Sequence, residues 1–429
     1  MNDLFGPASM GGLRLSNRFV RAATWAGMAD DQGEPTPKLV DLVADLALGG
    51  VGLIITGHAY VHPSGKHAPW QLGIDRDEAV RAFRGLTGAV HEHGGKIVLQ
   101  LGYGGSYLSR SRVERVSPDD FAGLAAAYGL SAKRALEAGF DAVQVLAAAG
   151  FFLSQMLCPR YNRRQDRYGG SLENRSRMLL EALKAIRVAV GPDFPVLVKL
   201  NGQDYVEDGL TLPESVQVGV WLEESGADAI EISGGLLNVP SVFEGVAADD
   251  DSQVAFEPEA AAFKKRVKLP LILGGGIRSL ERAEQLVADG LADFIAMSRP
   301  FIREPDLIAR WNSGDHGRAL CISCDNCFEE IKAGRGVSCI PLVKDADTFF
   351  PQVVEYISAG PLLPNGLQYE IAFGLEDWQG SYLPVVKVSL VSEDGRIRRT
   401  PSFSPGSEAH IRVMQRIETL LKQKGLGAD

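Results

Sequence analysis

Eight short apolar runs, each followed by a stretch of helical periodicity, constrain this chain more than any other feature. The runs are FVRAAT (19–24), GLIITG (52–57), KIVLQL (96–101), AVQVLA (142–147), PVLVKLN (195–201), AIEISG (229–234), PLILGGG (270–276) and DFIAMS (293–298). Between them lie amphipathic stretches, from about Thr36 to Leu48, Asp75 to His93, Ser117 to Ala138, Ser171 to Val190, Pro213 to Glu224, Glu257 to Val267 and Ser279 to Ala288. Continuous apolar character suits a strand buried on both faces, and alternation with helices makes successive strands parallel. Eight units exceed what most open sheets hold, so the expected fold is α/β, a closed (β/α)8 TIM barrel. The active site of such a barrel lies at the C-terminal ends of its strands. Here those ends are Ala22 to Trp25, Thr56-Gly57, Gln100, Leu146 to Phe151, Lys199, Ser233 to Gly235, Gly274 to Gly276 and Met297 to Arg299.

After Arg299 the pattern changes. We expect the barrel over residues 1–318, a cysteine-rich metal-binding segment over 319–344, and a small α+β domain over 345–429. In that last part YEIAFGL and LPVVKVSLV read as strands, EDGRI carries an Asp-Gly turn signal, and about Ser407 to Lys422 reads as a terminal helix. The net charge of −10 argues against nucleic acid or an anionic membrane as a partner. No run of 18 apolar residues exists, and MNDLFGPASMGG lacks a basic region followed by an apolar one. The expectation is a cytoplasmic protein acting on a small molecule.

Several constellations could carry chemistry. Gly274-Gly275-Gly276 and Met297-Ser298-Arg299 end strands seven and eight, where such barrels commonly bind phosphate through backbone N–H groups. Lys199 and Gln100 are polar residues at the ends of apolar strands. A buried Lys needs an anionic partner, Glu231 or Asp204, unless it serves an electron-rich ring. A long loop from Gly150 to Ser171 separates strand four from its helix, and loops of that length are usually functional. Within it Arg160, Arg163, Arg164 and Arg167 form a basic cluster, with Asp166 and Glu173 as nearby partners. His58, His62 and His67 follow strand two at a spacing that does not suit one helix face, so no metal site is expected there. Cys321, Cys324, Cys327 and Cys339 have two, two and eleven residues between them, a spacing at which four thiolates converge on zinc or on a [4Fe–4S] cluster.

LRLSNRFVRAATW, VLQLGYGG, AGFFLSQMLCPRYNRRQDRYGGSLENR, VLVKLN, LGGGI and MSRPFIREPDL resemble, in order, the Old Yellow Enzyme family of FMN-dependent NAD(P)H:flavin oxidoreductases. The resemblance covers about residues 1 to 342, and the run Asn162 to Arg175 carries it most specifically. It implies that Ala22, Ala23, Thr24 and Trp25, with Gly57, lie along the flavin. Gln100 binds its pyrimidine edge, Lys199 stands near N1 and O2, and Gly275, Gly276, Ser298 and Arg299 hold the phosphate. It also implies an ene-reductase-like enzyme with NAD(P)H as electron donor and an unsaturated small molecule as acceptor. The cysteine segment resembles that of 2,4-dienoyl-CoA reductase and trimethylamine dehydrogenase, which favours [4Fe–4S] over zinc. Their C-terminal dinucleotide domain is expected to be absent, since the last hundred residues hold no Gly-x-Gly-x-x-Gly. The chain departs from the family where substrate is held. Leu146, Ala149 and Phe151 stand in place of His-x-x-His or His-x-x-Asn and the Tyr after Gly150, and none of the three side chains can donate a hydrogen bond. Tyr103, Tyr161 and Cys158 are the candidate catalytic replacements. A flavin and iron–sulfur electron-transfer subunit working with a redox partner protein is the alternative, and a homo-oligomer is compatible with either.

Overall fold

The computed structural model describes residues 3–104, 113, 116–236 and 254–339, together with strand and helix segments between 352 and 418. The chain divides into two compact units, Met1–Cys339 and Ile340–Asp429.

In the first unit the eight apolar runs become β1 (Phe19–Arg21), β2 (Leu53–Ile55), β3 (Ile97–Gly102), β4 (Ala142–Ala147), β5 (Val196–Asn201), β6 (Ala229–Ser233), β7 (Leu271–Leu273) and β8 (Phe294–Met297). Each pairs in parallel with the next. Strand β8 returns to β1 through Ile295↔Phe19, Ala296↔Val20 and Met297↔Arg21, so the barrel closes as expected. Six of the eight strands are shorter than their apolar runs, the chain turning out of the sheet at the C-terminal rim, while β3 and β4 keep six residues each. Gly275 and Gly276, at φ 108° and 95°, make that turn after β7 in a region that L side chains rarely adopt.

Side chains alternate between two cores, as the period of a strand dictates. Phe19, Ile54, Leu99, Val143, Val198, Ile230 and Leu273 face the helices. Val20, Leu53, Val98, Ala142, Leu197, Ala229, Ile272 and Phe294 fill the barrel. An N-terminal hairpin, Ala8–Met10 paired with Leu13–Leu15, adds Met10, Leu13 and Leu15 to the inner core. Its turn lies against Asp228, just before β6, so it plugs the end opposite the strand C-termini. Two residues further along β3, β4, β5 and β6 the inward positions are no longer apolar. They are Gln100, Gln144, Lys199 and Glu231.

The long loop after β4 is not continuous loop. Phe152–Leu157 forms a short helix in which all six residues are buried. The polar residues of the following stretch hold backbone in place. Asn162 donates to Met156 O and Tyr168 O, both at 2.7 Å. Arg164 pairs with Asp166 and donates to Val113 O at 2.7 Å and Val116 O at 2.8 Å. Arg175 pairs with Glu214 at 2.5 Å and donates to Leu157 O. Ser171 caps the helix Leu172–Val190 by accepting from Asn174 N, as expected from sequence.

In the second unit an antiparallel sheet runs in the order Gln352–Ser358, Leu367–Trp378, Ser381–Ser392, Arg398–Arg399. YEIAFGL and LPVVKVSLV fall within its two long strands. The Asp-Gly turn at 393–397 lies outside the described residues, and so does the expected terminal helix apart from helical positions at 414–415 and 417–418.

Candidate active site

The inward polar layer forms one chain of hydrogen bonds. Lys199 Nζ donates to Glu231 Oε1 at 2.6 Å, Gln144 Nε2 to Glu231 Oε2 at 2.7 Å, and Gln100 Nε2 to Gln144 Oε1 at 2.7 Å. Of the two partners weighed for Lys199 the structure selects Glu231. Asp204 is used otherwise, accepting from Asn201 Nδ2 at 2.8 Å and Leu210 N at 2.8 Å. Burial raises the Asp204 carboxyl pKa against the lowering effect of these hydrogen bonds.

Lys199 and Glu231 line a cavity of about 250 Å³ together with Ala22, Ala23, Gly274 to Gly276, Ser298 and Arg299. Thr24 Oγ1 lies 2.7 Å from Ser298 Oγ, and Ala22 N donates to Met297 O at 2.9 Å, so the first and last strands present one continuous rim. Arg299 opens the short helix Arg299–Arg303 and donates to Asp325 Oδ1 at 2.7 Å. Arg21, buried beneath the rim, donates to Ala22 O at 3.1 Å, and desolvation lowers its pKa to about 10.

Two observations bear on whether this rim fits a cofactor. The Trp25 Nε1 is buried with no hydrogen-bond partner among the described residues. At Gly57 a Cβ would stand 2.8 Å from Thr24 O and 3.1 Å from Trp25 Cα, so only glycine lets β2 approach the 22–25 segment this closely. An orphaned donor, a glycine-lined turn and Arg299 together suit a phosphorylated ring ligand. A larger groove of about 840 Å³ lies on the outer wall against the helices Leu172–Val190 and Leu212–Glu224, away from the strand C-termini. We assign the chemistry to the smaller cavity because the convergent polar groups are there.

At the mouth, Leu146, Ala148 and Phe151 form a small buried apolar cluster with Ala149 against it. Ala149 takes φ 57° and is held by its N–H to Asn201 Oδ1 at 3.0 Å. The structure adds a pair that its spacing did not suggest. His58 Nε2 and His67 Nδ1 lie 3.2 Å apart, and both rings pack edge-on to Phe151 at 4.6 and 5.2 Å. Gln71 supports the pair, accepting from His67 N at 3.0 Å and donating to His58 O at 3.4 Å. Desolvation drives the His58 pKa well below its usual value and that of His67 to about 4.

The three candidate replacements fare differently. Tyr103 OH lies 2.9 Å from Ser64 Oγ, which in turn lies 2.8 Å from His62 Nδ1. The Tyr161 N–H closes a turn on Cys158 O. Cys158 is fully buried beside Asp204 and Asp208 O, and desolvation pushes its thiol up to about 12, which suits packing better than proton donation.

Cys321, Cys324, Cys327 and Cys339 are all partly exposed. Desolvation raises the thiols of Cys327 and Cys339, and Cys321 and Cys324 add to the shift in both, so the four share one electrostatic neighbourhood. Among the described residues no three His, Cys, Asp or Glu side chains stand at metal-ligating geometry. The segment packs behind the 22–28 stretch. Val337 N donates to Ala26 O at 2.7 Å, and Ile331 lies against Gly27, where a Cβ would meet it at 2.5 Å.

No helix among the described residues is long and apolar enough to cross a membrane. Residues 3–129 and 111–317 match the NADH:flavin oxidoreductase / NADH oxidase family. The NADH oxidase of Thermoanaerobacter brockii is 32% identical over 346 residues, 75% of this chain and 53% of that protein. The chain thus spans about half the length of that relative. The 4,4'-dithiodibutanoate disulfide reductase of Rhodococcus erythropolis is 31% identical over 380 residues, 77% of this chain and 94% of that protein. The Old Yellow Enzyme homologue from Zymomonas mobilis superposes with a TM-score of 0.62 at 25% identity, covering 74% of this chain and 94% of its own. With its closed barrel and its rim of glycines, Ser298 and Arg299, the chain belongs to the NADH:flavin oxidoreductase / NADH oxidase family.

Proposed function

We propose that this chain is an FMN-dependent oxidoreductase of the Old Yellow Enzyme type that takes electrons from NAD(P)H and passes them to an unsaturated small molecule. The observation that carries this reading is the cavity shared by residues 22–23, Lys199, Gly274 to Gly276, Ser298 and Arg299. Gly275, Gly276, Ser298 and Arg299 would hold the phosphate. Ala22 to Trp25 and Gly57 would lie along the ring, with Gln100 and Lys199 at its pyrimidine side. Bound FMN supplies two-electron chemistry that amino-acid side chains lack. The chain's own contribution is to orient the ring, to shield it with the 22–25 segment, and to present the mouth around Leu146, Ala149 and Phe151.

That mouth sets the acceptor. Its apolar residues offer no donor to a developing oxyanion, so the polar contact falls to groups outside β4, with the His58–His67 pair best placed beside Phe151. The acceptor is then less polar than a simple enone, or is reduced without oxyanion support, as the activity named for the Rhodococcus erythropolis disulfide reductase illustrates.

The four cysteines would carry a [4Fe–4S] cluster, with zinc as the alternative ion. What supports this is the all-thiolate donor set, its shared electrostatic neighbourhood, and its position directly behind residues 22–28. A second reading, an electron-transfer subunit with a redox partner protein, draws support from Leu320, Ile322 and Phe328, which are 59%, 59% and 43% exposed around the cysteines. We place the protein in the cytoplasm, where free thiols and NAD(P)H are both at hand. Anaerobic purification with an absorption spectrum, flavin identification and metal analysis tests these assignments together. Protein that purifies colourless and cannot be reconstituted with FMN would overturn the flavin reading.

A further inference from the structure

We propose that Glu231 sets the electrostatic state of the cofactor's pyrimidine side, cancelling Lys199 at one end of the inner polar layer and fixing the amide orientation of Gln100 at the other. This rests on the flavin reading given above.

The argument begins from what each group can do. An ionised carboxylate only accepts hydrogen bonds, and an ammonium only donates them. Glu231 is buried to 3% exposure, and its two oxygens are met by Lys199 Nζ at 2.6 Å and Gln144 Nε2 at 2.7 Å. Because Glu231 must accept, Gln144 must turn its NH2 toward it. The Gln144 carbonyl then points at Gln100, which must answer with its own NH2, at 2.7 Å. The carbonyl oxygen of Gln100 is thereby reserved as an acceptor. An acceptor suits the ring N–H of a flavin's pyrimidine, whereas an amide turned the other way would oppose one N–H donor with another. One carboxylate thus dictates the polarity of an amide three strands away.

The other end concerns charge. A lone Lys beside the pyrimidine would favour negative charge on the reduced ring. Here the ammonium and carboxylate lie at contact distance and both line the cavity, so a ring placed there meets a dipole rather than a full positive charge. Lys199 cannot carry the carboxylate along if it turns toward a ligand, because the second oxygen is tied to Gln144 on β4. Breaking either partner away would leave a buried charge uncompensated, which keeps the pair together. Glu231 is in this sense a positioning residue, acting on the ring through Lys199 and Gln100.

The test uses the full chain loaded with FMN, and reads the flavin's reduction potential against a reference dye in wild type and in Glu231→Gln. The variant restores the full charge of Lys199, so the two-electron reduction equilibrium should shift about tenfold toward the reduced form, an upward move of about 30 mV. An unchanged or lower potential in folded, FMN-loaded Glu231→Gln overturns the proposal. The absorption spectrum of the reduced wild-type flavin at mildly acidic pH, where the free reduced ring is neutral and only an uncancelled cation would hold it anionic, gives a reading that needs no variant. A neutral reduced ring is expected, and an anionic one overturns the cancellation of Lys199 even if Glu231→Gln does not fold. Wild-type protein that takes up no FMN overturns the flavin reading and this role with it. Equal potentials in two FMN-loaded proteins overturn the role of Glu231 alone.

Discussion

His58 Nε2 stands 3.2 Å from His67 Nδ1, in stacked rings whose centroids are 4.7 Å apart. One nitrogen must donate and the other accept, so the tautomer of each ring is tied to that of its partner. Desolvation comes first among the causes that hold both pKa values down, His67 to about 4 against 6.5 for the free side chain. Between those values the unfolded chain binds more protons at His67 than the folded one. Stability contributed there is therefore full above pH 6.5 and is lost as the pH falls toward 4. Thermal melts across that window should show a shallower decline for the His58→Gln, His67→Gln double variant than for wild type. Parallel profiles would show that the pair is not kept neutral by the fold.

A second expectation follows from the apolar mouth. Removing one oxyanion donor costs roughly 10²–10³ in rate, and losing a general acid about 10²–10⁴. The two do not simply multiply, because such groups act as a unit. Anaerobic assays with 2-cyclohexenone should therefore give very slow turnover while NAD(P)H still bleaches the flavin. Leu146→His, Ala149→His and Phe151→Tyr together should raise the rate. The positive φ of Ala149 is no obstacle, since His is among the residues enriched in that region. Turnover equal to that of relatives with polar residues at these positions would contradict the expectation.

Arg299 should matter for cofactor retention more than for folding. Arg299→Ala removes a charge-assisted donor and should weaken FMN binding by about 1.5–3 kcal/mol, read by fluorescence titration of the apoprotein. Its ion pair with Asp325 is partly exposed, so the melting temperature of the apoprotein should scarcely move. A variant that melts early but binds FMN normally would reverse the assignment.

Cys324→Ser should abolish metal retention after anaerobic purification and loosen residues 319–339 to limited proteolysis, because metal binding and local folding are coupled. Wild-type protein containing neither iron nor zinc would remove the basis for this expectation.

The barrel was legible because a strand buried on both faces must be apolar throughout, and eight such runs leave few topologies. Ser171 was legible as a cap for an equally local reason. The loop from Gly150 to Ser171 was read as functional for its length, and within it Asn162 and Arg164 spend donors on backbone carbonyls, as does Arg175 in the helix that follows. A polar residue in a loop looks alike from sequence whether it serves a ligand or the chain itself. The helix Phe152–Leu157 was missed because six wholly buried residues carry no amphipathic period. The His58–His67 contact was missed because two loop residues nine apart have no period at all. The link from Glu231 to Gln100 was only half visible. The pairing of Lys199 was anticipated, but the part of Gln144 depends on barrel register, which sets Gln100 opposite Gln144 and Lys199 opposite Glu231.

The backbone bond from Val337 to Ala26, with Ile331 seated on Gly27, joins residues 22–28 to residues 331–337. Whatever fixes residues 22–28 then lowers the entropy that residues 331–337 still have to lose, and the converse holds with the same free energy. A flavin at the barrel rim and a metal at the cysteines, as proposed above, would be thermodynamically linked through this contact. Loading either should tighten the other by an equal factor.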